Sequence, residues 1–242
     1  MTDDFNTYED SKRAEAYAGL EFPGTYYLAY RDLPEIITEH AKGKKAIDFG
    51  CGTGRSTRFL RKLGFDGIGV DISEDMLSKA GEIDPEGQYH LVDDGDLSRE
   101  QSNTYDLALS VFTFDNIPTF EKKVKIFREL ARLIKSDGRI VSLVSSPEIY
   151  KHEWASFTTK DFPENKQAKS GDIVKIIMKD VEDKRPVEDI IWSHESYQDI
   201  YAEVGLQILA KYEPLGKEDE SYDWLNETTI APWVIYVLEQ SG

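Results

Sequence analysis

Short apolar runs alternate with amphipathic stretches from Lys45 to Ser145, and this alternation constrains the fold more than any other feature of the chain. "KAIDF" reads as a short buried strand, and "STRFLRKLG" as a helix with Phe59, Leu60 and Leu63 on one side and Gly64 at its end. "GIGVDI" is the second strand. "SEDMLSKAG" is the next helix: Ser73 can cap it, Glu74 and Asp75 favour its positive end, and Gly81 stops it. "QYHLVD" and "YDLALSVF" follow as strands, "FEKKVKIFRELARLIKSDG" as a longer amphipathic helix and "RIVSLVS" as the fifth strand. Strands joined in this way need right-handed crossovers, which put helices on both faces of a parallel sheet. "QILAKYEPL" and "PWVIYVLE" close the chain as two more strands, so the expectation is a doubly wound α/β fold with a seven-stranded, mostly parallel sheet.

Two helices are expected ahead of this core, one around "YEDSKRAEAYAGL" and one over "DLPEIITEHAKG". In the second, Pro34 suits the first turn, Ile36 and Ile37 give an apolar face and Gly43 sits at the C-terminal cap. The pattern breaks between Ser145 and Ser193, a polar span with scattered aromatics. Within it "DIVKIIMKDVEDKRPVEDIIWS" reads as a β-hairpin, and a helical "SYQDIYAEVGL" then restores the core pattern. The 242 residues are read as a single domain. It comprises N-terminal helices (1–44), a binding core (45–145), a lid inserted between strands 5 and 6 (146–195), and a closing helix and strands (196–242).

The formal net charge is −17, with 46 Asp and Glu against 29 Lys and Arg. Phosphate backbones are bound mainly by Lys and Arg, so a nucleic-acid partner is disfavoured, and so is an anionic membrane surface. Cys51 is the only cysteine, so an internal disulfide is excluded and a reducing compartment is expected. The opening "MTDDFNTYEDSK" lacks the basic start and apolar run of a signal peptide, and no stretch approaches the roughly 20 apolar residues of a membrane span. The expectation is a cytoplasmic protein.

"AIDFGCGTGRST", Ala46 to Thr57, sets three glycines at alternating positions directly after the first strand. One glycine would serve a tight strand-to-helix turn; three suggest a surface for a ligand to lie against. The dinucleotide fingerprint fails, because the sixth residue from Gly50 is Arg55 and that from Gly52 is Thr57, and no phosphate loop ending in Gly-Lys-Ser/Thr is present. The neighbouring strand ends carry more information. Asp48 precedes the glycines. Asp71 ends the second strand, where a carboxylate can accept both hydroxyls of a ribose. "VDDGDL" ends the third, where a carboxylate beside a backbone N–H matches the edge of an adenine. In open parallel sheets ligands bind at such carboxyl ends.

Taken in order, "AIDFGCGTGRST", "GVDIS", "VDDGDL", "YDLALSVF" and "LIKSDGRIVSLV" resemble the class I S-adenosylmethionine-dependent methyltransferases, over about Lys45 to Val144. The resemblance implies a Rossmann-like sheet with the last strand inserted antiparallel, and S-adenosyl-L-methionine as cofactor. By position, it implies that Asp48 and the loop of Gly50, Cys51, Gly52 and Gly54 face the methionine part. Asp71 would bind the ribose, with Ile72 and Met76 against the adenine. Asp94 and Gly95 would read the adenine edge, although Asp93 and Asp96 crowd the same turn. Ser110 and Phe112 would lie near the sulfonium and the acceptor. No metal is called for.

Candidates for proton transfer are few. His152, in the lid, and Asp115, after the fourth strand, are the two retained; His40, His90 and His194 read as surface or packing residues. Tyr150, Trp154, Phe157, Phe162 and Trp192 can wall an acceptor pocket or make the lid's own small core, and Tyr8 and Tyr17 can fold over the cofactor or pack on the sheet. The function expected is methyl transfer to N or O of a small molecule. The alternatives are methylation of a protein side chain and a non-catalytic S-adenosylmethionine-binding protein; a nicotinamide-dependent dehydrogenase is weakened by the failed fingerprint.

Overall fold

Five parallel strands appear in the computed structural model where the apolar runs place them: β1 (Lys45–Phe49), β2 (Asp66–Asp71), β3 (Gln88–Leu91), β4 (Tyr105–Val111) and β5 (Ile134–Ser145). The structure describes residues 24–242; Tyr8, Tyr17 and the helix expected around them lie outside the described residues. Two more strands, β9 (Leu206–Tyr212) and β10 (Trp233–Gln240), complete a seven-stranded sheet of order β3-β2-β1-β4-β5-β10-β9. The last strand is antiparallel to both its neighbours, as the resemblance implies.

Helices α1 (Thr25–Arg31), α2 (Leu33–His40) and α3 (Arg55–Lys62) precede α4 (Glu74–Ile83), α5 (Phe120–Leu133) and α6 (His194–Glu203). Side-chain alternation divides the core between the two faces of the sheet. Leu107, Leu109, Val141 and Leu143 join Leu28, Leu33 and Ile37 of α1 and α2 in one cluster. Ala108, Ile140 and Val144 face Phe127 and Leu130 of α5 and Tyr197 and Tyr201 of α6 in the other. Leu130, Leu133 and Ile134 have no exposed surface at all. Ser73 caps α4 by accepting from Met76 N–H at 3.3 Å, as its position predicts, although the helix runs through Gly81 to Ile83. The long helix is shorter than expected. It ends at Leu133, because the N–H groups of Asn103 and Thr104 take the carbonyls of Arg132 and Leu133, and Ile134 turns directly into β5.

The predicted hairpin is β7 (Ile173–Met178) against β8 (Val187–Ile190). A short β6 (Phe157–Thr158), which the sequence did not signal, pairs with β7 on its other side. Phe157, Val174, Ile176, Met178 and Val187 of this small sheet belong to the same cluster as α1. The buried Glu227 ties the segment down, accepting from Thr25 Oγ1 and Ala155 N–H at 2.7 Å each and from Leu225 N–H at 2.8 Å. Among the described residues no helix is long and apolar enough to cross a membrane.

Candidate functional site

The three glycines of the β1–α3 turn answer different demands. All have positive φ, 70° at Gly50, 51° at Gly52 and 77° at Gly54. A Cβ on Gly50 would lie 2.2 Å from the Thr113 side chain, and one on Gly54 would lie 2.5 Å from the Tyr89 hydroxyl. A Cβ on Gly52 would meet nothing within 4 Å. Packing therefore excludes a side chain at Gly50 and Gly54, whereas Gly52 keeps open space. The turn is pinned from outside by Val70 O, which accepts from Gly50 N–H and Cys51 N–H.

Behind the turn, Asp48 is fully buried and accepts from Ser56 Oγ at 2.7 Å and Thr57 Oγ1 at 2.6 Å, while its Oδ1 has no partner. Burial pushes its carboxyl up to about 6 against the help of those hydroxyls, with the nearby Asp71 charge adding to the rise. A carboxyl raised in the folded state stabilises the fold while protonated and loses that contribution as pH climbs through its folded value. Relative to Asp48→Asn, the wild-type unfolding free energy should fall by roughly 2 kcal/mol between pH 4 and pH 7. Urea melts of both proteins across that window measure the gap, and a constant gap would remove Asp48 as the titrating group.

Asp71 closes β2 with both oxygens engaged by backbone: Oδ2 accepts from Gly52 N–H at 2.8 Å and Oδ1 from Ser73 N–H at 2.9 Å. It thus holds the glycine turn to the start of α4 while retaining acceptor capacity, since an ionised carboxylate offers about four lone-pair sites. Burial raises its pKa, and the N–H groups of Ser73, Gly52 and Ile72 oppose the rise. At the end of β3, Asp94 has φ 39° and Gly95 φ 70°; Lys122 Nζ lies 3.4 Å from Asp94 Oδ1. Asp96 accepts from Ser98 N–H at 2.8 Å and does not line the cavity.

These turns form one end of a cavity of about 660 Å³, within the range that holds cofactors and drug-sized ligands. That end is lined by Gly50, Cys51, Gly52, Asp71, Ile72, Met76, Asp93, Asp94 and Gly95. The other end lies past β4 and β5 and under the small sheet. There four rings gather: Trp233 lies 4.7 Å from Phe112, 5.7 Å from Tyr26 and 5.8 Å from Phe157, centroid to centroid. Phe112 holds φ 61°, a left-handed conformation costing on the order of 1–3 kcal/mol for a bulky residue, the kind of strain that collects at binding sites. Polar groups at this end include Asp115, Asn116, Ser145, Tyr150 and Asp189. Asp115 accepts from Ser145 N–H at 3.0 Å, and the Tyr150 hydroxyl donates to Asp189 Oδ2 at 3.0 Å. Burial pushes the Asp115 carboxyl above the usual carboxylate range and the neighbouring Lys123 ammonium below the usual lysine value, and the attraction between the two opposes both shifts. Lys123 lies outside the cavity wall, donates to Phe114 O and faces the rings of Phe114, Trp192 and Tyr197.

Several residues singled out from the sequence are not in the wall. Asp48 is one layer behind it, and Gly54 is turned against Tyr89. Ser110 is fully buried on the opposite face of the sheet from Val111, which does line the cavity, because alternate residues of β4 point opposite ways. Trp154 donates its indole N–H to Ile149 O inside the core, and Trp192 packs over Lys123. Phe162 also stands outside the wall. His152 lies outside it too, half-exposed and 3.1 Å from Glu148 Oε2, which removes the one histidine retained for proton transfer. His40, His90 and His194 are held by Tyr212, Glu100 and Tyr236 respectively. The residues missed were Asp189, Trp233 and Tyr26. Asp189 carried a signal: a carboxylate two positions from Val187 and from Ile191, in step with apolar residues on one side of a short strand. Among the described residues no cluster of three or more His, Cys, Asp or Glu could hold a metal.

The cavity fits an adenosyl ligand on two grounds independent of sequence pattern: the space beside Gly52 that a Cβ would enter, and a carboxylate at the end of β2 with acceptor capacity left. Comparison with known proteins agrees. Residues 47–142 match the family profile described as "Methyltransferase domain". A ubiquinone biosynthesis O-methyltransferase of Methylococcus capsulatus is 30% identical over 112 residues, 44% of this chain and 46% of that protein. A tocopherol O-methyltransferase of Arabidopsis thaliana is 30% identical over 110 residues, 43% of this chain and 30% of that protein. The matches thus span less than half of these relatives. Similarity of fold extends further. An S-adenosylmethionine-dependent methyltransferase of Clostridium acetobutylicum superposes with TM-score 0.64 at 16% identity, over 96% of this chain and 98% of that one. The CcbJ methyltransferase of Streptomyces caelestis superposes with TM-score 0.63 at 15% identity, over 92% of this chain and all of that one.

Proposed function

Because residues 47–142 form a methyltransferase domain of the class I S-adenosylmethionine-dependent type, we propose that the protein transfers a methyl group from S-adenosyl-L-methionine to an N or O atom of a small molecule. The observation that carries this reading is the shape of the cavity. One end is built from the turns after β1, β2 and β3, and the other is closed by Tyr150, Phe157, Ile176, Met178, Val187 and Asp189. A covered acceptor end favours a small acceptor over a protein side chain, which needs an open cleft.

The cofactor supplies an already activated methyl group. The chain's own contribution is then chiefly placement, which can remove roughly 7–11 kcal/mol of a bimolecular barrier. In this reading Asp71 takes the ribose, with Ile72 and Met76 against the adenine. Asp94, or its neighbour Asp93, reads the adenine edge beside Gly95. The bare surface of Gly52 receives the methionine part. Segment 146–195 serves as a lid that keeps water from the acceptor end. With no histidine in the wall, the carboxylates at that end among the described residues, Asp115 and Asp189, are the candidates to take an acceptor proton. The single free thiol, Cys51, suits a reducing compartment, and we place the reaction in the cytoplasm.

Incubating a cell extract with the protein and a deuterated methyl donor should yield a small-molecule product heavier by the labelled methyl group in mass spectrometry. Label found only in protein would favour the side-chain alternative. No labelled product, with the cofactor bound, would favour the non-catalytic one.

A further inference from the structure

Lys123 breaks the apolar pattern of α5. Val124, Ile126, Phe127 and Leu130 make the buried face of that helix, and Lys123 stands on the same face, four residues before Phe127 and seven before Leu130. Its side chain is fully buried. The ammonium donates to Phe114 O and lies 5.0 Å from the Trp192 ring and 5.6 Å from those of Phe114 and Tyr197. Taking an ammonium out of water is costly, and a methionine of similar reach would fill the site without that cost. The opposite charge acting on Lys123 is that of Asp115, and Lys123 in turn is the cation acting on Asp115.

The two are also linked through the backbone. The carbonyl that Lys123 grips belongs to the peptide bond leading into Asp115. One side chain thus fixes the place of that carboxylate and sets the field beneath it. Asp115 itself is buried in the cavity wall, and both its oxygens accept from Ser145 N–H, at 3.2 Å and 3.0 Å. Its turn is joined to the glycine turn by Thr113 Oγ1, which donates to Phe49 O and Gly50 O. Asp115 is therefore held beside the cofactor end, whereas Asp189 belongs to the small sheet that covers the acceptor. A carboxylate so enclosed tends to take up a proton from water; an ammonium behind it favours the ionised form, and a base must be ionised to act.

We propose that Asp115 takes the acceptor's proton and that Lys123, behind the cavity wall, is the positioning residue that keeps it ready as a carboxylate. This rests on the methyl-transfer reading above and assigns the proton's destination in the same cavity. The acceptor's lone pair forms the bond to the methyl carbon. The carbon–sulfur bond breaks with its electron pair going to sulfur, which leaves S-adenosylhomocysteine, and the acceptor's N–H or O–H proton passes to Asp115.

Besides Lys123, the titratable groups facing Asp115 are Tyr150, after β5, and Tyr197, on α6, with Asp189 of β8 across the Tyr150 hydroxyl. Burial and the nearby carboxylates raise both tyrosines well above their ordinary value, so they keep their protons in the range tested. A carboxylate base gives a rate that rises with pH through its pKa. Removing the ammonium raises that pKa, so the rise moves to higher pH.

The test follows labelled product from the small-molecule fraction of a cell extract, with the deuterated methyl donor, from about pH 5 to 9. Asp115→Asn should lose the acid limb and slow the reaction by at least about 100-fold. Lys123→Met should move the acid limb up by at least about one unit, a ten-fold change in proton affinity. Both variants should bind S-adenosylhomocysteine within about two-fold of wild type, which reports that they are folded. In the wild type alone, carbon NMR of the Asp115 carboxyl and of Lys123 Cε should show a shared inflection at the midpoint of the acid limb, as coupled charges do; this decides the matter if a variant does not fold. An acid limb that stays in place in Lys123→Met, one lost in Asp189→Asn instead of Asp115→Asn, or no shared inflection would each overturn the inference and leave methyl transfer standing. No labelled product with the wild type would overturn both.

Discussion

Asp71→Ala should weaken the binding of S-adenosylhomocysteine by at least about 100-fold, the scale of losing two hydrogen bonds to a charged acceptor at roughly 1.5–3 kcal/mol each. The loss is large because this carboxylate serves two purposes. In the proposed reading it offers lone pairs to a ribose, and it holds Gly52 N–H and Ser73 N–H at 2.8 Å and 2.9 Å, fixing the glycine turn to the head of α4. Removing it would delete that proposed contact and free the turn that lines the cavity. Asp71→Asn keeps one acceptor oxygen and should fall between wild type and alanine. Calorimetry measures all three. An alanine variant that melts like wild type and binds with unchanged affinity would remove Asp71 from the ribose.

The second large effect separates Gly50 from Gly52, two positions on. Gly50→Ala should lower folding stability by about 2–5 kcal/mol, combining roughly 1–2 kcal/mol for a left-handed alanine with roughly 1–3 kcal/mol of overpacking. Its Cβ would lie 2.2 Å from Thr113 Oγ1 and Cγ2 and 2.7 Å from Thr113 Cβ. Rotating the threonine cannot relieve the last of these. Rotation would also break the bonds from Thr113 Oγ1 to Phe49 O and Gly50 O that join the β1 and β4 turns. Gly52→Ala should cost only the conformational part, about 1–2 kcal/mol, because its Cβ enters open space. That space is cavity, so the methyl should reduce cofactor affinity by about ten-fold or more. Thermal melts and titrations on the two variants should show opposite patterns: Gly50→Ala chiefly unstable, Gly52→Ala chiefly unable to bind. Equal losses of stability would mean that the turn does not distinguish its glycines in this way.

The strands and most helices were legible because their signals are local. A buried run such as "KAIDF" and a cap such as Ser73 act within a few residues, and both appear where expected. Asp71 and the Asp93–Gly95 turn were legible because a parallel sheet brings successive strand ends to one edge, so order along the chain becomes order in space. Of the acceptor end, Phe112, Asp115, Tyr150 and Phe157 were singled out from the sequence and do line the cavity, but the rest was not legible. Its wall is assembled from α1, the turn after β4, β6, β7, β8 and the start of β10, and no periodicity reports how those approach one another. Ser110 and Phe112 illustrate the limit. Both follow from position in the family pattern, yet the alternation of β4 sends Ser110 to the far face of the sheet, while Phe112 reaches the cavity from its left-handed turn. His152 drew notice as a histidine in the lid, but it bonds to Glu148 one helical turn away, a local pairing that outweighed any reach to the cavity.

In the proposed reading an adenosyl sulfonium lies across the ends of β1, β2 and β3 with its methyl group toward the ring-lined end. A crystal structure with S-adenosylhomocysteine tests it most directly. The ribose hydroxyls should lie within hydrogen-bond distance of Asp71, the adenine beside Ile72 and Met76, and the thioether sulfur near Phe112. The ligand bound elsewhere, or inverted so that its adenine sits under Asp189, would contradict it.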